Sequence, residues 1–385
     1  MVDLHKEISF SDLLPKRSAS KPRSKPVESA RRAEMPEEIV GLKIEAAGLT
    51  AAQVVNNGGK KLVRVAQLPL EPGIVSGGEV RDPAGLATAL NELFSSSGLP
   101  KDAVRLGLAN SRIGVRTIEI TGVEDDQQFQ NAVRFRAHEI LSTPLEEAVI
   151  DYHLLGSYED EEGQTVYRVL LVLGFRDSID RQLAATDAAG LEVVGIDLDA
   201  FALLRASLPS AAEHEGDDDS ALVAVSIDHD LTTLAISDGS VCRFTRVLEW
   251  GTTNVDSALS RALKISTEEA VAVRKEVSLE NLADTPAQGG AQPDEIVRRE
   301  LQTLVRELLS SIRFFNSQPG TPAVRGFVVS GSLVDLPGFT RRLGFDLRMP
   351  VTSADPFGRV ETAPEVVRPE QTSGLVVAVG LGIED

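Results

Sequence analysis

The chain has 385 residues, of which 42% are hydrophobic, 25% are charged and 4% are aromatic, as expected for a globular protein with an aliphatic core. Its net charge of −19 argues against a general nucleic-acid-binding protein. The single cysteine, Cys242, excludes an internal disulfide, and the five histidines lack metal-ligand spacing. The sequence shows neither a signal peptide nor an apolar run long enough to span a membrane, so we expect a cytoplasmic protein without a metal site.

Residues 1–37 differ in composition from the rest of the chain. The stretch 16–32 holds seven basic residues and one acid, with Ser and Pro between them, which predicts a disordered basic tail. The peptide 8–15, ISFSDLLP, precedes this stretch and has the character of a short linear binding motif. An unselected disordered end is an equally open interpretation.

The ordered chain begins near residue 38. Alternating apolar residues predict strands over 39–44, 52–55 and 61–68, and a strand follows at 104–109. Asp82 followed by Pro83 predicts the start of a helix that reaches Gly98. These elements predict a first core domain over 38–112.

A compact α+β module is predicted over 113–195. It contains an alternating strand near its start, an amphipathic helix over 125–141, strands at 149–155 and 166–173, and a helix over 177–190. An acidic linker, 209–220, then leads to a second half over 221–365. That half contains three strands, two helices, a long helix over 294–315 and a further strand, and an apolar helix over 373–382 closes the chain.

Two β-hairpins, 40–50 and 225–234, lie about half a chain apart, as in the duplicated actin-like ATPase core. In that superfamily each hairpin turn carries an Asp followed two residues later by a Gly, and backbone N–H groups there approach a nucleotide phosphate. Here the corresponding residues are Lys43 and Glu45 in the first hairpin and Ser226 and Asp228 in the second. A carboxylate in the glycine position fills the space and repels a phosphate.

The order of the elements resembles the PilM family of type IV pilus assembly proteins, itself similar to the cell-division protein FtsA. The resemblance covers about residues 38–382, and its best parts are 135–152, 189–202, 311–315 followed by 329–332, and 377–382. It implies an α/β fold: an actin-like, ribonuclease H-like duplicated core with an inserted small α+β module. The first core domain would then be completed by 196–208 and 366–385.

The same resemblance implies ATP in the cleft between the halves and a membrane-protein partner. That partner is PilN, whose short N-terminal cytoplasmic peptide would lie in a groove between the first core domain and the inserted module. We expect the partner-binding surface near Phe135, Ile140, Leu141, Val149 and Tyr152, although core packing is the simpler interpretation for any one of them. Localisation at the inner membrane would come only through partners or the basic tail.

Further residues around the expected cleft also depart from the family pattern. Gly331-Ser332 replaces a Gly-Gly adenosine turn, and Gly251 stands where two glycines are common. The Glu and Lys that approach the ribose correspond to Val271 and Arg274. Together with the two hairpins, these losses predict a degenerate cleft without catalytic residues and without bound ATP or Mg²⁺.

Two functions therefore follow. The first is a scaffold of type IV pilus assembly that binds a PilN-like partner and has become a pseudo-ATPase. The second is an active actin-like ATPase of pilus biogenesis, in which backbone contacts suffice or Lys43 neutralises a phosphate.

The tail adds one more expectation. Its segment Phe10–Pro15, FSDLLP, is similar to the PilN peptide of the family, which typically reads Ile-Asn-Leu-Leu-Pro. Residues 8–15 could therefore occupy the partner groove of their own chain or of a second copy, which predicts competition with the partner or self-association.

Overall fold

The computed structural model describes most of the chain from residue 36 onwards. The described residues are 36–123, 125–140, 147–208, 220–239, 241–280, 292–318, 320–369 and 374–384. The predicted tail, 1–37, therefore lies almost entirely outside the described residues, as does nearly all of the predicted acidic linker, 209–220.

The first half begins with five strands, one helix and a sixth strand. In chain order these are β1 (Glu38–Glu45), β2 (Gly48–Val55), β3 (Lys61–Pro69), β4 (Val75–Ser76), β5 (Glu79–Val80), α1 (Pro83–Ser97) and β6 (Val104–Leu108). The start of α1 is as predicted: the Asp82 side chain accepts hydrogen bonds from the N–H groups of Ala84 and Gly85, and Pro83 occupies the first turn. Gly98 ends the helix in the left-handed conformation.

The inserted module and the elements after it follow. They are β7 (Gly114–Thr121), α2 (Asp126–Ile140), β8 (Ala148–Glu159), β9 (Thr165–Phe175), α3 (Arg176–Ala188), β10 (Val193–Leu198) and α4 (Asp199–Ser207). β7, β9 and β8 form a separate antiparallel sheet, and Phe129, Val133 and Ala137 of α2 are buried against one face of it.

The separate sheet ends at Phe175, which differs from the predicted module boundary at residue 195. Ile179 and Ala185 of α3 belong to the hydrophobic core of the first half, and β10 pairs in parallel with β6. The difference has a local cause: α3 directly follows β9 without a break, so nothing in the sequence marks the return to the first core.

The described part of the second half contains three antiparallel strands, three helices and two further strands around a helix. They are β11 (Ser220–Ile227), β12 (Thr232–Ser237), β13 (Cys242–Leu248), α5 (Thr252–Leu263), α6 (Thr267–Lys275), α7 (Pro293–Asn316), β14 (Ala323–Gly331), α8 (Phe339–Leu347) and β15 (Val351–Ser353). The chain then returns to the first half as β16 (Glu361–Thr362) and α9 (Leu375–Gly382). Because β16 pairs with β3, this return occurs at Glu361, slightly before the predicted residue 366.

The two main sheets repeat one topology. The first has the strand order β10-β6-β1-β2-β3-β16 and the second the order β13-β12-β11-β14-β15. In each, an antiparallel meander of three strands is extended by two parallel strands on the side of the first strand. The predicted duplicated α/β core is thereby confirmed.

Two helices, α4 and α9, pack between the sheets. They approach so closely that a Cβ atom on Gly380 would lie 1.9 Å from the carbonyl oxygen of Ala202. The buried Arg105 guanidinium donates hydrogen bonds to the carbonyl oxygens of Leu381 and Ile383 at 3.0 and 2.9 Å, which satisfies the end of α9. This packing places the β1–β2 and β11–β12 turns opposite each other.

Candidate functional site

The centre of the cleft between the halves is a buried ion pair. Lys43 of β1 extends across the cleft, and its Nζ lies 2.6 Å from Oδ2 of Asp228, with 2% and 6% of the two side chains exposed. Ser226 Oγ donates a hydrogen bond of 2.9 Å to the other oxygen, Oδ1, of Asp228. Three of the four predicted hairpin residues thus meet in one contact, and both carboxylate oxygens of Asp228 are occupied.

The electrostatic environment keeps Lys43 charged. Burial lowers the pKa of the Lys43 ammonium, but the nearby carboxylates of Asp228, Glu45 and Asp199 outweigh that effect, and the pKa is raised above its ordinary value. Lys43 is therefore a fixed cation among acids. In a site with so little water, its attraction to Asp228 is only weakly screened.

Glu45 completes a reciprocal contact between the two turns. Its carboxylate accepts a hydrogen bond from the backbone N–H of His229, while its Oε2 has no hydrogen-bond partner among the described residues. Burial raises the pKa of Glu45 to about 7, although Lys43 acts in the opposite direction.

Asp199, at the start of α4, belongs to the same charge cluster and was not among the residues predicted for the cleft. It is buried beside Gly107, its Oδ1 has no hydrogen-bond partner among the described residues, and burial raises its pKa to about 7. A signal for it exists in the sequence: Asp197 and Asp199 stand where a strand ends and a helix begins, at the sheet edge on which parallel strands place functional groups.

Gly251 lies where α5 meets the β11–β12 turn. A Cβ atom there would lie 2.4 Å from the carbonyl oxygen of His229, so the close approach requires glycine. The backbone N–H groups of Thr252 and Thr253 donate to the carbonyl oxygens of Asp228 and His229 at 3.0 and 2.9 Å. The N–H of Gly251 donates to the Asn254 side chain. The N-terminal donors of α5, which could otherwise bind an anion, therefore have partners within the protein.

Gly331 and Ser332, the predicted adenosine turn, pack against the end of β11. A Cβ atom on Gly331 would lie 2.0 Å from the carbonyl oxygen of Ile227, and the residue has a φ of 102°. The backbone N–H of Ser332 donates to the same oxygen at 3.0 Å. Glycine is thus required here by the packing of the strands themselves.

The two positions expected beside a ribose have other contacts. Arg274 is buried, and its Nε lies 2.6 Å from Oδ1 of Asp256, so this ion pair joins α6 to α5. Val271 is partly buried on α6.

Of the predicted partner-binding residues, Phe135 is exposed, with 65% of its surface accessible on α2. Tyr152 instead is partly buried and packs edge-on against the buried Phe129 of the module core, at 5.7 Å between ring centroids. Val149 packs against the core of the first half. Both side chains are partly buried, and their role in partner binding stays a prediction.

The remaining two partner-binding predictions concern the end of α2. Ile140 is the last residue of that helix, and Leu141 lies outside the described residues. Within the described part of the chain, no helix is both long and apolar enough to cross a membrane.

Comparison with known proteins identifies relatives over most of the chain. The family model for type IV pilus assembly protein PilM matches residues 41–385. The cell division protein FtsA of Bacillus subtilis (strain 168) is 22% identical over 276 residues, which cover 63% of this chain and 60% of FtsA. The alignment thus spans less than two thirds of that relative.

Solved structures with the same fold include a PilM-PilN type IV pilus biogenesis complex. One chain of that complex is 25% identical with a TM-score of 0.75, and the match covers 90% of this chain and 98% of the other. The ethanolamine utilization protein EutJ from Carboxydothermus hydrogenoformans matches with a TM-score of 0.53 at 15% identity, over 90% of this chain and 89% of EutJ. The predicted actin-like fold is confirmed by these neighbours.

Proposed function

This chain belongs to the PilM family of type IV pilus assembly proteins, and from that premise we propose that it serves pilus assembly as a protein-binding scaffold with a degenerate nucleotide cleft. Its partner in this proposal is a PilN-like inner-membrane protein, bound through that protein's N-terminal cytoplasmic peptide. The scaffold itself would lie on the cytoplasmic side of the inner membrane.

The ion pair between Lys43 and Asp228 carries the proposal of a degenerate cleft. A nucleotide needs free backbone N–H groups and open space at both hairpin turns. Here an ammonium and a carboxylate in contact at 2.6 Å fill the space between the turns. The N–H groups at the start of α5 donate to protein oxygens. The residues of the cleft therefore do not fit a triphosphate with its Mg²⁺ ion.

Nucleotide binding can be tested directly by thermal unfolding with and without Mg-ATP. A ligand present at 100 times its Kd adds about 2.7 kcal/mol to stability, which is readily measured. We expect no shift and no ATP hydrolysis. Mg-dependent turnover that disappears in Lys43→Met would refute the proposal.

A restoration variant makes a negative result informative. Lys43→Asp, Glu45→Gly, Ser226→Asp and Asp228→Gly together give both hairpins the residues of nucleotide-binding relatives. A gain of Mg-ATP binding in this variant alone would support the proposal that these four residues block the cleft.

The exposed Phe135 supports a partner site on α2 of the inserted module. The opposite face of this helix, Phe129, Val133 and Ala137, is buried in the module core, so the exposed ring is available to a partner. A solved relative of this chain is a PilM-PilN complex, and an aromatic anchor is typical of peptide recognition.

We expect Phe135→Ala to weaken binding of a PilN-like N-terminal peptide at least tenfold in a fluorescence-anisotropy titration, a loss of about 1.4 kcal/mol or more. Phe345→Ala is the matched control, because Phe345 is 56% exposed on α8 of the second half. Equal affinities of the two variants would place the partner site elsewhere.

The tail supports a finer proposal. Residues 8–15 would compete for the partner groove or link two copies, because a short tether gives a local concentration of about 1 mM. The basic stretch 16–32 would favour anionic lipid at the inner membrane. Deleting residues 1–37 should therefore tighten partner binding or lower self-association in sedimentation velocity. Unchanged affinity together with an unchanged oligomeric state would rule out both competition for the groove and linkage of two copies.

A further inference from the structure

Three consecutive residues of the β11–β12 turn are each bound by the first half. Asp228 pairs with the ammonium of Lys43, and the backbone N–H of His229 donates to Glu45. Asp230 Oδ2 accepts a hydrogen bond of 2.7 Å from the backbone N–H of Gly77. The turn that would hold a phosphate in a nucleotide-binding relative is instead a docking point for the opposite half of the same chain.

These contacts come from two separate elements of the first half. Lys43 and Glu45 belong to β1, whereas Gly77 lies in the turn between β4 and β5. A Cβ atom on the next residue, Gly78, would lie 1.7 Å from the carbonyl oxygen of Ala109 and 3.1 Å from a methyl group of Leu231. The β4–β5 turn is therefore packed closely between the two halves.

Apolar contacts lie alongside the polar ones. Ala235 of β12 and Cys242 of β13 belong to the same hydrophobic cluster as Val115 and Val172 of the inserted module. Separating the halves would expose the side chains of this cluster that lie at the contact between them, and would leave the buried Lys43 without its partner. Both effects favour the closed arrangement without a ligand.

We propose that Lys43 is a permanent latch, which holds the two halves closed through Asp228 in place of a nucleotide. This proposal rests on the degenerate cleft proposed above and adds its conformational consequence. In nucleotide-binding relatives a ligand between the halves can open or close the cleft. Here the closing contact is part of the chain, so the partner surface has one fixed form that does not respond to ATP.

The latch can be tested by measuring the distance between the halves. Spin labels at Ser95→Cys on α1 and Ala262→Cys on α5 occupy exposed positions in the two halves, and Cys242→Ala removes the one native cysteine. Pulsed electron–electron double resonance of the otherwise wild-type chain should give a single narrow distribution of distances between the two labels, unchanged by Mg-ATP. A broad distribution without ligand would overturn the latch.

The decisive variant is Lys43→Met with Asp228→Asn, which removes the ion pair without leaving either charge alone. We expect its distance distribution to broaden and shift to longer distances although the protein still folds. An unchanged distribution in this variant would refute the latch.

A second ion pair provides the matched control. Arg274 and Asp256 are equally close, at 2.6 Å, and are also buried, but both lie in the second half. Arg274→Met with Asp256→Asn should leave the distance between the halves unchanged. If this control broadens the distribution as much as the Lys43 and Asp228 variant, the effect reflects general loss of stability and the latch is refuted.

The test separates this proposal from the proposed function. A closed wild type whose melting temperature rises with Mg-ATP would refute the degenerate cleft while supporting closure without ligand. An open wild type that ignores Mg-ATP would refute the latch and leave the scaffold proposal intact.

Discussion

The first half of the molecule carries ion pairs of similar length at its junction with the second half and beside the inserted module, but the surroundings of these pairs differ. At the junction with the second half, Lys43 and Asp228 are separated by 2.6 Å and are 2% and 6% exposed. At the module junction, where the chain enters the inserted module after Arg112 and leaves it at Phe175, Arg112 lies 2.9 Å from Glu79 and 3.1 Å from Asp177, and 37% of the arginine side chain is exposed. The distances alone would suggest that the pairs contribute equally to stability, but solvent screens the exposed pairs and so weakens them relative to the buried one.

The module junction is also redundant. Glu79 has two further arginine neighbours, Arg81 at 3.1 Å and Arg181 at 3.6 Å, and the Arg112 guanidinium stacks 3.9 Å above the centre of the Phe175 ring. Hydrogen bonding to Glu79 raises the pKa of Arg112. Loss of one arginine leaves Glu79 with the other two, whereas among the described residues Lys43 is the one basic side chain paired with Asp228.

The largest effect is therefore expected from breaking the cleft pair on one side. Lys43→Met should lower the free energy of unfolding by about 3–5 kcal/mol, because it leaves Asp228 buried beside two other carboxylates. Adding Asp228→Asn should recover most of this loss. Chemical denaturation in urea measures the free energy of unfolding of both variants. A loss below about 1 kcal/mol would mean that the cleft pair behaves like an exposed one.

A smaller effect is expected from Asp199, whose pKa is raised from 3.8 to about 7. A carboxyl that binds its proton more tightly when folded contributes full stability below about pH 4, and this contribution is lost as the pH rises to about 7. Asp199→Asn should therefore stabilise the protein at pH 8 by about 1–3 kcal/mol, since it removes a buried charge but also an attraction to Lys43. The stabilisation by Asp199→Asn should be much smaller at pH 5.

The measurement is a pair of urea titrations of each protein, at pH 5 and pH 8. Glu45 has a pKa raised in the same direction, so the variant should retain part of the pH dependence. A destabilising effect of Asp199→Asn at pH 8 would show that the charged form of Asp199 is required by Lys43.

At the module junction, Arg112→Ala should cost about 1 kcal/mol or less, because the exposed pairs are screened and Glu79 retains Arg81 and Arg181. The cost should shrink further in 1 M NaCl, whereas the cost of Lys43→Met should remain. Thermal unfolding at low and high salt compares the two. A salt-independent loss at Arg112 would indicate that stacking on Phe175, rather than charge, stabilises the junction.

The smallest effect is expected on the surface of α2. Arg136 pairs with Glu139 at 2.8 Å, one helical turn away and with both side chains about half exposed. Arg136→Ala should change stability by about 0.3–0.5 kcal/mol at most. Because Arg136 adjoins Phe135, the variant also serves as a stability reference for partner binding. A larger change would reveal a structural role for this face of α2.

Local sequence signals predicted most of the elements correctly. The alternation of β1 to β3, the Asp82-Pro83 start of α1 and the apolar spacing of α2 each lie within a short stretch of chain. The helices α4 and α8 were not predicted, although both carry apolar residues at helical spacing. Both are short, with nine residues each. Their length provides too few turns for a clear periodicity.

The sequence by itself determined the duplicated pattern of strands, the family, and the replacement of glycine by carboxylates at both hairpin turns. Only the tertiary structure decided what those replacements do. Lys43 and Asp228 are 185 residues apart, and no local pattern indicates that one ammonium and one carboxylate will meet in a buried cleft. The position of Asp199 at the end of a strand is visible in the sequence, but only the fold brings it to Lys43, because parallel strands end at one edge of the sheet. Periodicity and capping act within a few residues of chain. The contribution of a charged group to stability instead depends on its partners and its exposure to solvent, which only the folded chain sets.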